Sequence, residues 1–329
     1  MTQATDTVVA GDWIEVTVHR KHPAAQNIAY LELRRTDGGD LPPFEAGAHI
    51  DLVLPGDIVR QYSLCNDPAQ RDRYALGVLL EASGRGGSRA VHEQVCEGDV
   101  LRIGRPRNLF PLVEGRHAIL LAGGIGVTPI LAMAETLNRE DRSFELHYCG
   151  RSADRMAFRD RITDAPYAVR SRFYTDDAPP LERFDAQGVL PTADPGVHAY
   201  VCGPAGFIDH VVGTLRAKGW CDDNIHFESF SALAPAVDGA AFEIQLGIDG
   251  PLVAVKPDQS VAQALIAAGV DVPLSCEQGI CGTCAMRVLD GTPDHHDMYF
   301  TEAEKAANDQ FTPCCSRSLS PRLVVDVPR

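Results

Sequence analysis

A short segment near the C-terminus carries a cysteine pattern that few folds can accommodate. Cys276, Cys281 and Cys284 follow the spacing C-x₄-C-x₂-C, and Cys314 and Cys315 lie 30 and 31 positions further on. Three closely spaced thiolates with a distant fourth ligand are typical of a 2Fe–2S cluster. Structural zinc sites usually draw their ligands from two short C-x₂-C hooks, so a zinc site, like a set of buried thiols, is the alternative. We therefore predict a 2Fe–2S cluster, with Cys314 and Cys315 competing for the fourth position.

Two glycines in the same segment fit that prediction. Gly279 and Gly282 lie between the cysteines. A Cβ atom at either position would crowd the cluster or forbid the backbone angles that turn N–H groups toward sulfur.

The amino-acid composition indicates the cellular compartment of the protein and the class of partner that it disfavours. Ten cysteines occur in 329 residues, and the segment Met1–Ala10 has neither a basic nor an apolar leader region. We therefore expect a cytoplasmic protein, whose cysteines serve metal or redox chemistry rather than disulfides. No apolar run approaches the roughly 20 residues that span a bilayer. The net charge of −15 disfavours nucleic acid as a partner, because phosphate contacts require clustered Lys and Arg.

The first part of the chain, residues 1–112, predicts an antiparallel β-barrel. Six short strand candidates are separated by turns that contain Gly and Pro, and a helix candidate precedes the last strand. The strands are Trp13–His19, Ile28–Arg34, His49–Leu54, Gln61–Cys65, Tyr74–Leu80 and Val100–Gly104, and the helix is Ser88–Val95.

The second part, residues 113–231, alternates apolar strands with helices, which predicts a doubly wound parallel sheet. The strand candidates are Ala118–Ala122, Phe144–Cys149, Arg170–Tyr174, Ala199–Cys202 and Ile225–Phe227, and the helices are Pro129–Leu137 and Gly206–Lys218. The first of these strands is apolar throughout, as a strand covered on both faces should be.

Residues 232–241, rich in Ala with one Pro and one Gly, are predicted to be a linker to a third domain, residues 242–329. That domain opens with Phe242–Ile248 and Leu252–Val255, separated by an Asp-Gly-Pro turn that predicts a hairpin. A helix is predicted over Val261–Ala268.

The barrel part contains a candidate phosphate site. Arg60, Gln61, Tyr62 and Ser63 form an R-x-Y-S motif, and a Gly-Gly-Ser sequence ending at Ser88 begins the predicted helix. Exposed N–H groups at a helix start and an arginine fork both bind phosphate. Strand alternation puts Arg60 and Tyr62 on one side, and Gln61 and Ser63 on the other. A plain barrel strand with a surface arginine and a Gly-rich turn is the alternative.

The second part contains a nucleotide-binding pattern. Gly123–Pro129 follows a buried strand, opens a helix and has the form G-G-x-G-x-x-P, in which the glycines let a ligand approach the backbone. Cys202–Pro204 ends a later strand at the same edge of the sheet. Taken alone, Cys202 is equally consistent with a small buried apolar residue.

In this order, the motifs R-x-Y-S, G-G-S, G-G-x-G-x-T-P and C-G-P resemble the ferredoxin–NADP⁺ reductase superfamily. With a plant-type ferredoxin domain at the C-terminus, the chain resembles the phthalate dioxygenase reductase family, which includes the reductase components of vanillate O-demethylase and similar Rieske-type oxygenases. The resemblance covers essentially the whole chain, including Pro106–Asn108, Glu228–Phe230 and Cys314–Arg317. It implies a multidomain protein with a flavin-binding antiparallel β-barrel, a nicotinamide-binding α/β doubly wound parallel sheet, and an α+β, β-grasp-like ferredoxin domain.

The resemblance also implies roles for individual residues of the flavin site. Arg60, Ser88 and the backbone of Gly87 would hold the flavin phosphate. Tyr62 would pack on the isoalloxazine ring and Ser63 would lie near its N5 atom, with Gln61 in the same strand. The flavin implied is FMN, with FAD as the alternative.

For the nicotinamide nucleotide, the resemblance implies that Gly124 and Gly126 border the cofactor and that Thr128 lies near the flavin edge. Pro129 and Gly203 belong to the same two motifs. Cys202 would lie beside the nicotinamide and, with Ser63, is the implied catalytic residue.

The remaining implications concern the flavin cover, the cluster and the coenzyme. Phe230 would cover the flavin, and Cys314 rather than Cys315 would be the fourth cluster ligand. NADH is implied as the donor, although Arg151, Ser152 and Arg155 follow the second strand, where a cation would select NADPH.

The function implied is an NADH-dependent reductase component of a Rieske-type oxygenase system. Hydride passes from NADH to FMN, and single electrons pass through the 2Fe–2S cluster to a terminal oxygenase of the aromatic-ring dioxygenase or O-demethylase type. A reductase for a haem monooxygenase and a flavin/iron–sulfur redox sensor are the alternatives. Residues 242–329 carry 12 acidic and 6 basic side chains, so electrostatically assisted docking is a further hypothesis.

Overall fold

A computed structural model of the chain describes residues 13–56, 58–81, 84, 86–230, 240–274, 279, 282–297 and 299–326. The chain divides into two compact units, Met1–Phe230 and Ser231–Arg329. Most of the predicted linker, and the predicted cluster ligands Cys276 and Cys281, lie outside the described residues. The further division of the first unit at residue 112 stays a prediction.

The first unit begins with six strands and one helix. They are β1 (Ile14–Ala25), β2 (Ile28–Arg35), β3 (His49–Leu54), β4 (Ile58–Ser63), β5 (Tyr74–Leu79), α1 (Gly87–Glu93) and β6 (Val100–Ile103). All pairs are antiparallel in the order β4-β3-β6-β1-β2-β5, and a bridge between Leu64 and Leu76 joins the two outer strands. The predicted barrel is therefore closed, and inward-facing side chains such as Val16, Val18 and Leu31 are fully buried in it.

The rest of the first unit alternates strands and helices. The strands are β7 (His117–Gly123), β8 (Phe144–Gly150), β9 (Ser171–Thr175), β10 (Val197–Gly203) and β11 (Ile225–Ser229). The α-helices are α2 (Val127–Arg139), α3 (Arg159–Thr163), α4 (Ala186–Val189) and α5 (Ala205–Ala217), and short 3-10 helices span Gly124–Gly126, Ala153–Arg155, Ala168–Arg170, Pro180–Glu182 and Asp222–Asn224.

These five strands form the predicted doubly wound sheet, entirely parallel, in the order β11-β10-β7-β8-β9. The chain order reverses between β7 and β10, and ligands of such folds bind outside the carboxyl ends of the strands at this switch point. One apolar cluster contains Cys65, Ala75 and Phe110 of the barrel part together with Val127 and Met133 of α2. The barrel and the parallel sheet thus share buried apolar surface within one unit.

The second unit is a mixed sheet with helices. Its elements are β12 (Phe242–Leu246), β13 (Leu252–Val255), α6 (Val261–Ala267), β14 (Met286–Asp290), β15 (Pro293–Asp294), α7 (Glu302–Ala307), β16 (Gln310–Phe311), β17 (Arg317–Ser318) and β18 (Arg322–Val325). The main sheet has the order β13-β12-β18-β14-β16, in which β12 and β18 are parallel. The predicted hairpin is present, with Glu243 opposite Ala254, and α6 packs Val261 and Leu265 into the same core as Ile244.

None of the helices in the described residues is long and apolar enough to cross a membrane.

Candidate functional site

The structure brings together the residues predicted to hold a phosphate. Gly87 is the first residue of α1, and a Cβ atom there would lie 2.5 Å from Cγ and 2.8 Å from Nε of Arg60. Only glycine therefore lets the Arg60 side chain cross the start of this helix. The next residue, Ser88, accepts a hydrogen bond at its Oγ atom from the backbone N–H of Glu81 at 3.0 Å.

A buried polar cluster lies where β4 meets the carboxyl edge of the parallel sheet. Ser63 ends β4, while Cys202 and Glu228 are paired residues of β10 and β11. The Ser63 Oγ donates to Glu228 Oε2 at 3.4 Å, and the three residues are between 0% and 8% exposed. Two of the three were predicted as catalytic residues, and they are brought together by strand ends from two different sheets.

Glu228 is the member of this cluster to which the sequence analysis assigned no role. Burial raises the pKa of Glu228 to about 8, although the hydrogen bond from Ser63 lowers it. Burial, and secondarily the nearby Glu228, raises the pKa of Cys202 well above its usual range. Burial therefore favours the uncharged forms of both side chains.

The nucleotide loop packs directly on β10. A Cβ atom on Gly126 would collide with the backbone carbonyl of Cys202 and lie 2.6 Å from the N atom of Gly203. Gly124 instead has φ +55°, and no atom lies within 4 Å of the position that a Cβ would take, so its backbone faces open space. The two predicted glycines thus act differently. Gly126 lets the loop lie against the end of β10, and Gly124 leaves room for a ligand.

Thr128 joins this loop to the barrel. Its Oγ1 atom donates to the carbonyl of Ile125 at 3.0 Å, which fixes the turn into α2. Its methyl group would lie 2.9 Å from a Cβ atom on Gly77 of β5, so the barrel strand approaches the loop through a glycine. The predicted position of Thr128 near the flavin edge stays a prediction.

Phe207 of α5 is a site residue that the sequence analysis missed. Its ring lies 2.8 Å from the position that a Cβ atom would take on Gly123, and 2.8 Å from the same position on Gly203. The ends of β7 and β10 therefore approach this ring through glycines. The only signal in the sequence was an aromatic residue three positions after Pro204.

The other predicted site residues occupy the following positions. Gln61 pairs with Asp51 in the barrel sheet. Tyr62 packs against the barrel core, and burial raises its pKa to about 12. Pro129 is buried in the first turn of α2. Phe230 ends the first unit and is 37% exposed, which leaves its ring available to cover a ligand.

In the second unit, two of the predicted cluster ligands converge. Cys284 and Cys314 are buried and their thiols share a hydrogen bond, which raises the pKa of Cys314 to about 12. The N–H of Gly279, which has φ +70°, points at the Cys314 sulfur. Two adjacent thiols with a backbone N–H aimed at one of them suit a cationic metal centre, because the metal allows both to ionise. These residues therefore fit an iron–sulfur cluster.

Cys315 contacts the side chain of Cys314 and also has partners of its own. Its Sγ lies 3.2 Å from Thr312 Oγ1 and 3.8 Å from Ser316 Oγ, all three residues being buried. The Ser316 hydroxyl in turn donates to Asp297 Oδ1 at 3.3 Å. Cys315 thus belongs to a polar network beneath the loop.

The pH dependence of NADH oxidation tests the role of Glu228. We expect the rate of flavin reduction by NADH to fall as the pH rises through about 8, because ionised Glu228 places a negative charge where electrons arrive. Glu228→Gln keeps the size and an acceptor oxygen but cannot ionise, so its rate should stay flat across this range. Anaerobic stopped-flow measurements from about pH 6 to 10 compare the two, and identical pH profiles would exclude Glu228 as the titrating group.

Comparison with known proteins identifies two domain families within this chain. The family model of the oxidoreductase NAD-binding domain matches residues 120–213, and that of the 2Fe-2S iron-sulfur cluster binding domain matches residues 248–319. Vanillate O-demethylase oxidoreductase of Pseudomonas sp. (strain HR199 / DSM 7063) is 50% identical over 317 residues, covering 95% of this chain and 100% of that protein. Phthalate dioxygenase reductase of Burkholderia cepacia is 37% identical over 320 residues, covering 96% and 98% respectively.

Two solved structures resemble the chain along its length. Phthalate dioxygenase reductase, described as a modular structure for electron transfer from pyridine nucleotides to a 2Fe–2S centre, gives a TM-score of 0.75 at 36% identity and covers 96% of this chain and 98% of its own. An intact type IV self-sufficient cytochrome P450 monooxygenase gives a TM-score of 0.80 at 36% identity, covering 98% of this chain and 43% of its own.

Proposed function

Since the chain belongs to the phthalate dioxygenase reductase family, with an oxidoreductase NAD-binding domain and a 2Fe–2S domain, we propose that it is the NADH-dependent reductase component of a Rieske-type oxygenase system. The observation that carries this proposal is the junction of Ser63, Cys202 and Glu228 at the switch point of the parallel sheet. An aromatic-ring dioxygenase or an O-demethylase would be the terminal partner, and the cytoplasm the compartment.

The barrel residues bind and orient a flavin in this proposal. Arg60, Ser88 and the Gly87 backbone would hold the FMN phosphate, Tyr62 would pack on the ring, and Ser63 would lie near its N5 atom. A bound flavin accepts a hydride as an electron pair and passes electrons on singly, which links NADH to a one-electron centre. Phe230 excludes water by covering the ring.

The parallel sheet presents the nicotinamide. Gly124 leaves space for the nucleotide, Gly126 lets the loop lie against β10, and Thr128 holds the turn into α2. Cys202 supplies a neutral, buried surface beside the nicotinamide, since its thiol stays protonated. No residue in this scheme needs to transfer a proton to the nicotinamide.

The cluster is held by Cys276, Cys281, Cys284 and Cys314 in this proposal. The contact between Cys284 and Cys314 supports the choice of Cys314, while Cys315 contacts Cys314 and lies close to Gly279.

Electron transfer to a protein acceptor tests the proposed function. The purified holoprotein should oxidise NADH rapidly with either ferricyanide or cytochrome c, and should support turnover by a Rieske-type oxygenase. Because residues 242–329 have an excess of acidic side chains, reduction of the oxygenase should slow at high salt, where charges more than about 10 Å apart are screened. A protein that binds its cofactors but oxidises NADH with neither acceptor would be a redox sensor rather than a reductase.

A haem monooxygenase is the second candidate partner. It is favoured by the likeness to a self-sufficient cytochrome P450, in which a chain of this fold makes up part of the same protein. Parallel turnover assays with one oxygenase of each class distinguish the two partners.

A further inference from the structure

A cleft of about 790 Å³ runs between the barrel and the nucleotide-binding part of the first unit. On the barrel side it is lined by the β1–β2 hairpin and by the segment after β4, including Asn66 and Asp67. On the other side it is lined by α2 and α3, including Glu135, Arg159 and Arg161. In addition to the apolar cluster that the two sides share, polar contacts join them across this cleft.

Arg161 of α3 contacts the backbone just after β4, the strand that ends at Ser63. Its Nη1 donates to the backbone carbonyl of Cys65 at 2.8 Å, and its Nη2 donates to Glu135 Oε1 at 2.9 Å. The Tyr167 hydroxyl donates to the same carboxylate oxygen at 3.2 Å, so Glu135 is held from two sides. A guanidinium can make both bonds at once because its donors form a planar fork, which an ammonium lacks.

The carbonyl that Arg161 holds is two residues beyond Ser63. The Cys65 side chain is fully buried, and its N–H donates to the carbonyl of Ala75 at 2.9 Å. The segment from Ser63 to Cys65 is therefore short and fixed on both sides. Whatever fixes the Cys65 carbonyl also limits the position of the Ser63 hydroxyl.

The other end of the contact leads to the nucleotide loop. Glu135 lies on α2, the helix that begins next to Gly126 and contains Thr128 in its first turn. Arg161 thus connects the strand end predicted to face flavin N5 with the helix that carries the nicotinamide loop.

We propose that Arg161 is a positioning residue for hydride transfer, acting through Cys65 on the barrel side and Glu135 on the nucleotide side. The proposal rests on the proposed function, since it needs a flavin and a nicotinamide at this junction. Hydride transfer requires reacting atoms about 3–3.5 Å apart, and a displacement of about 1 Å costs about 100-fold in rate. Loss of the Arg161 contact removes the bond that fixes the Cys65 carbonyl, so the strand end that carries Ser63 can shift relative to α2.

The experiment uses the full-length holoprotein and anaerobic stopped-flow reduction of the flavin by NADH. Arg161→Met should slow flavin reduction at saturating NADH by about 10- to 100-fold. The dissociation constant for NADH and the flavin absorbance spectrum should stay close to those of the wild type. Arg161→Lys keeps the charge but lacks the planar fork that fits both acceptors, so it should restore part of the rate.

The primary isotope effect separates positioning from a purely structural role. With NADH deuterated at the transferred position, Arg161→Met should show a larger effect than the wild type, because hydride transfer becomes more fully rate-limiting. Arg159→Met is the matched control: Arg159 lies on the same helix and in the same cleft, but stacks over the Phe173 ring at 5.2 Å. It should behave as the wild type.

An unchanged rate and isotope effect in Arg161→Met, or an equal loss in Arg159→Met, would overturn the proposal. Should Arg161→Met fail to fold, Glu135→Gln removes the charge at the other end of the contact while keeping the shape. A several-fold slower reduction with a larger isotope effect supports the proposal, and a wild-type rate overturns it. Failure of the wild type itself to reduce its flavin with NADH would instead overturn the proposed function and this proposal with it.

Discussion

Cys314→Ala abolishes the visible absorbance and the electron paramagnetic resonance signal of the cluster, and lowers NADH–cytochrome c reduction at least 100-fold; this is the expected result. The reason is that the substitution would leave iron without one of the four proposed thiolate ligands. NADH–ferricyanide activity should persist, because that acceptor takes electrons from the flavin in the other compact unit. Cys281→Ser should behave in the same way.

Cys315→Ala is the matched control for this experiment. Its thiol lies within 3.2 Å of Thr312 Oγ1 in a buried network that also includes Ser316. Replacing it removes that polar contact but no proposed ligand, so cluster content should remain near that of the wild type. If Cys315→Ala lost the cluster while Cys314→Ala retained it, Cys315 would be the fourth cluster ligand and Cys314 its buried neighbour.

Gly126→Ala should slow flavin reduction by NADH about 100-fold, because the added methyl group collides with the backbone of Cys202 and Gly203. Backbone atoms of a central parallel strand cannot turn aside as a flexible side chain can, so β10 or the loop must move. Chemical reduction of the flavin and the spectrum of the cluster should not change. The measurement is anaerobic stopped-flow reduction with NADH, alongside reduction with dithionite.

Gly213→Ala provides the comparison for that substitution. Gly213 is an exposed residue within α5, and a Cβ atom there meets nothing within 4 Å. Alanine is the better helix former, so this variant should be as active as the wild type and at least as stable. A similar loss of activity in both variants would mean that the effect of Gly126→Ala does not come from the strand contact.

The antiparallel barrel, the parallel sheet and the hairpin of the second unit could be predicted because their periodic patterns are strong. The continuous apolar run of β7 and the Asp-Gly turn between β12 and β13 both led to the correct element. The end of β1 was placed too early, because irregular pairing near Val18 and again near Pro23 breaks the alternation of side chains. Helix α7 was missed, although Thr301 and Glu304 form a capping box that its sequence displays.

The candidate site could be predicted only where a motif marks it. Arg60 and Ser63 stand in a local motif, and so does Cys202. Glu228 enters the cluster through its register opposite Cys202, and register between strands that are distant in sequence has no local signature. Arg161 contacts a carbonyl 96 positions away, and backbone carbonyls carry no sequence information at all.

The apolar cluster shared by Cys65 and Ala75 of the barrel with Val127 and Met133 of α2 has a consequence for protein engineering. A chimera that exchanges only the nicotinamide-binding half would pair two surfaces that did not evolve together, at the place where Ser63 and Cys202 must meet. Coenzyme preference is therefore better altered by point substitutions within the native pair. The unit Ser231–Arg329 is compact and has its own core, so we expect it to tolerate exchange between reductases better than the nicotinamide-binding half does.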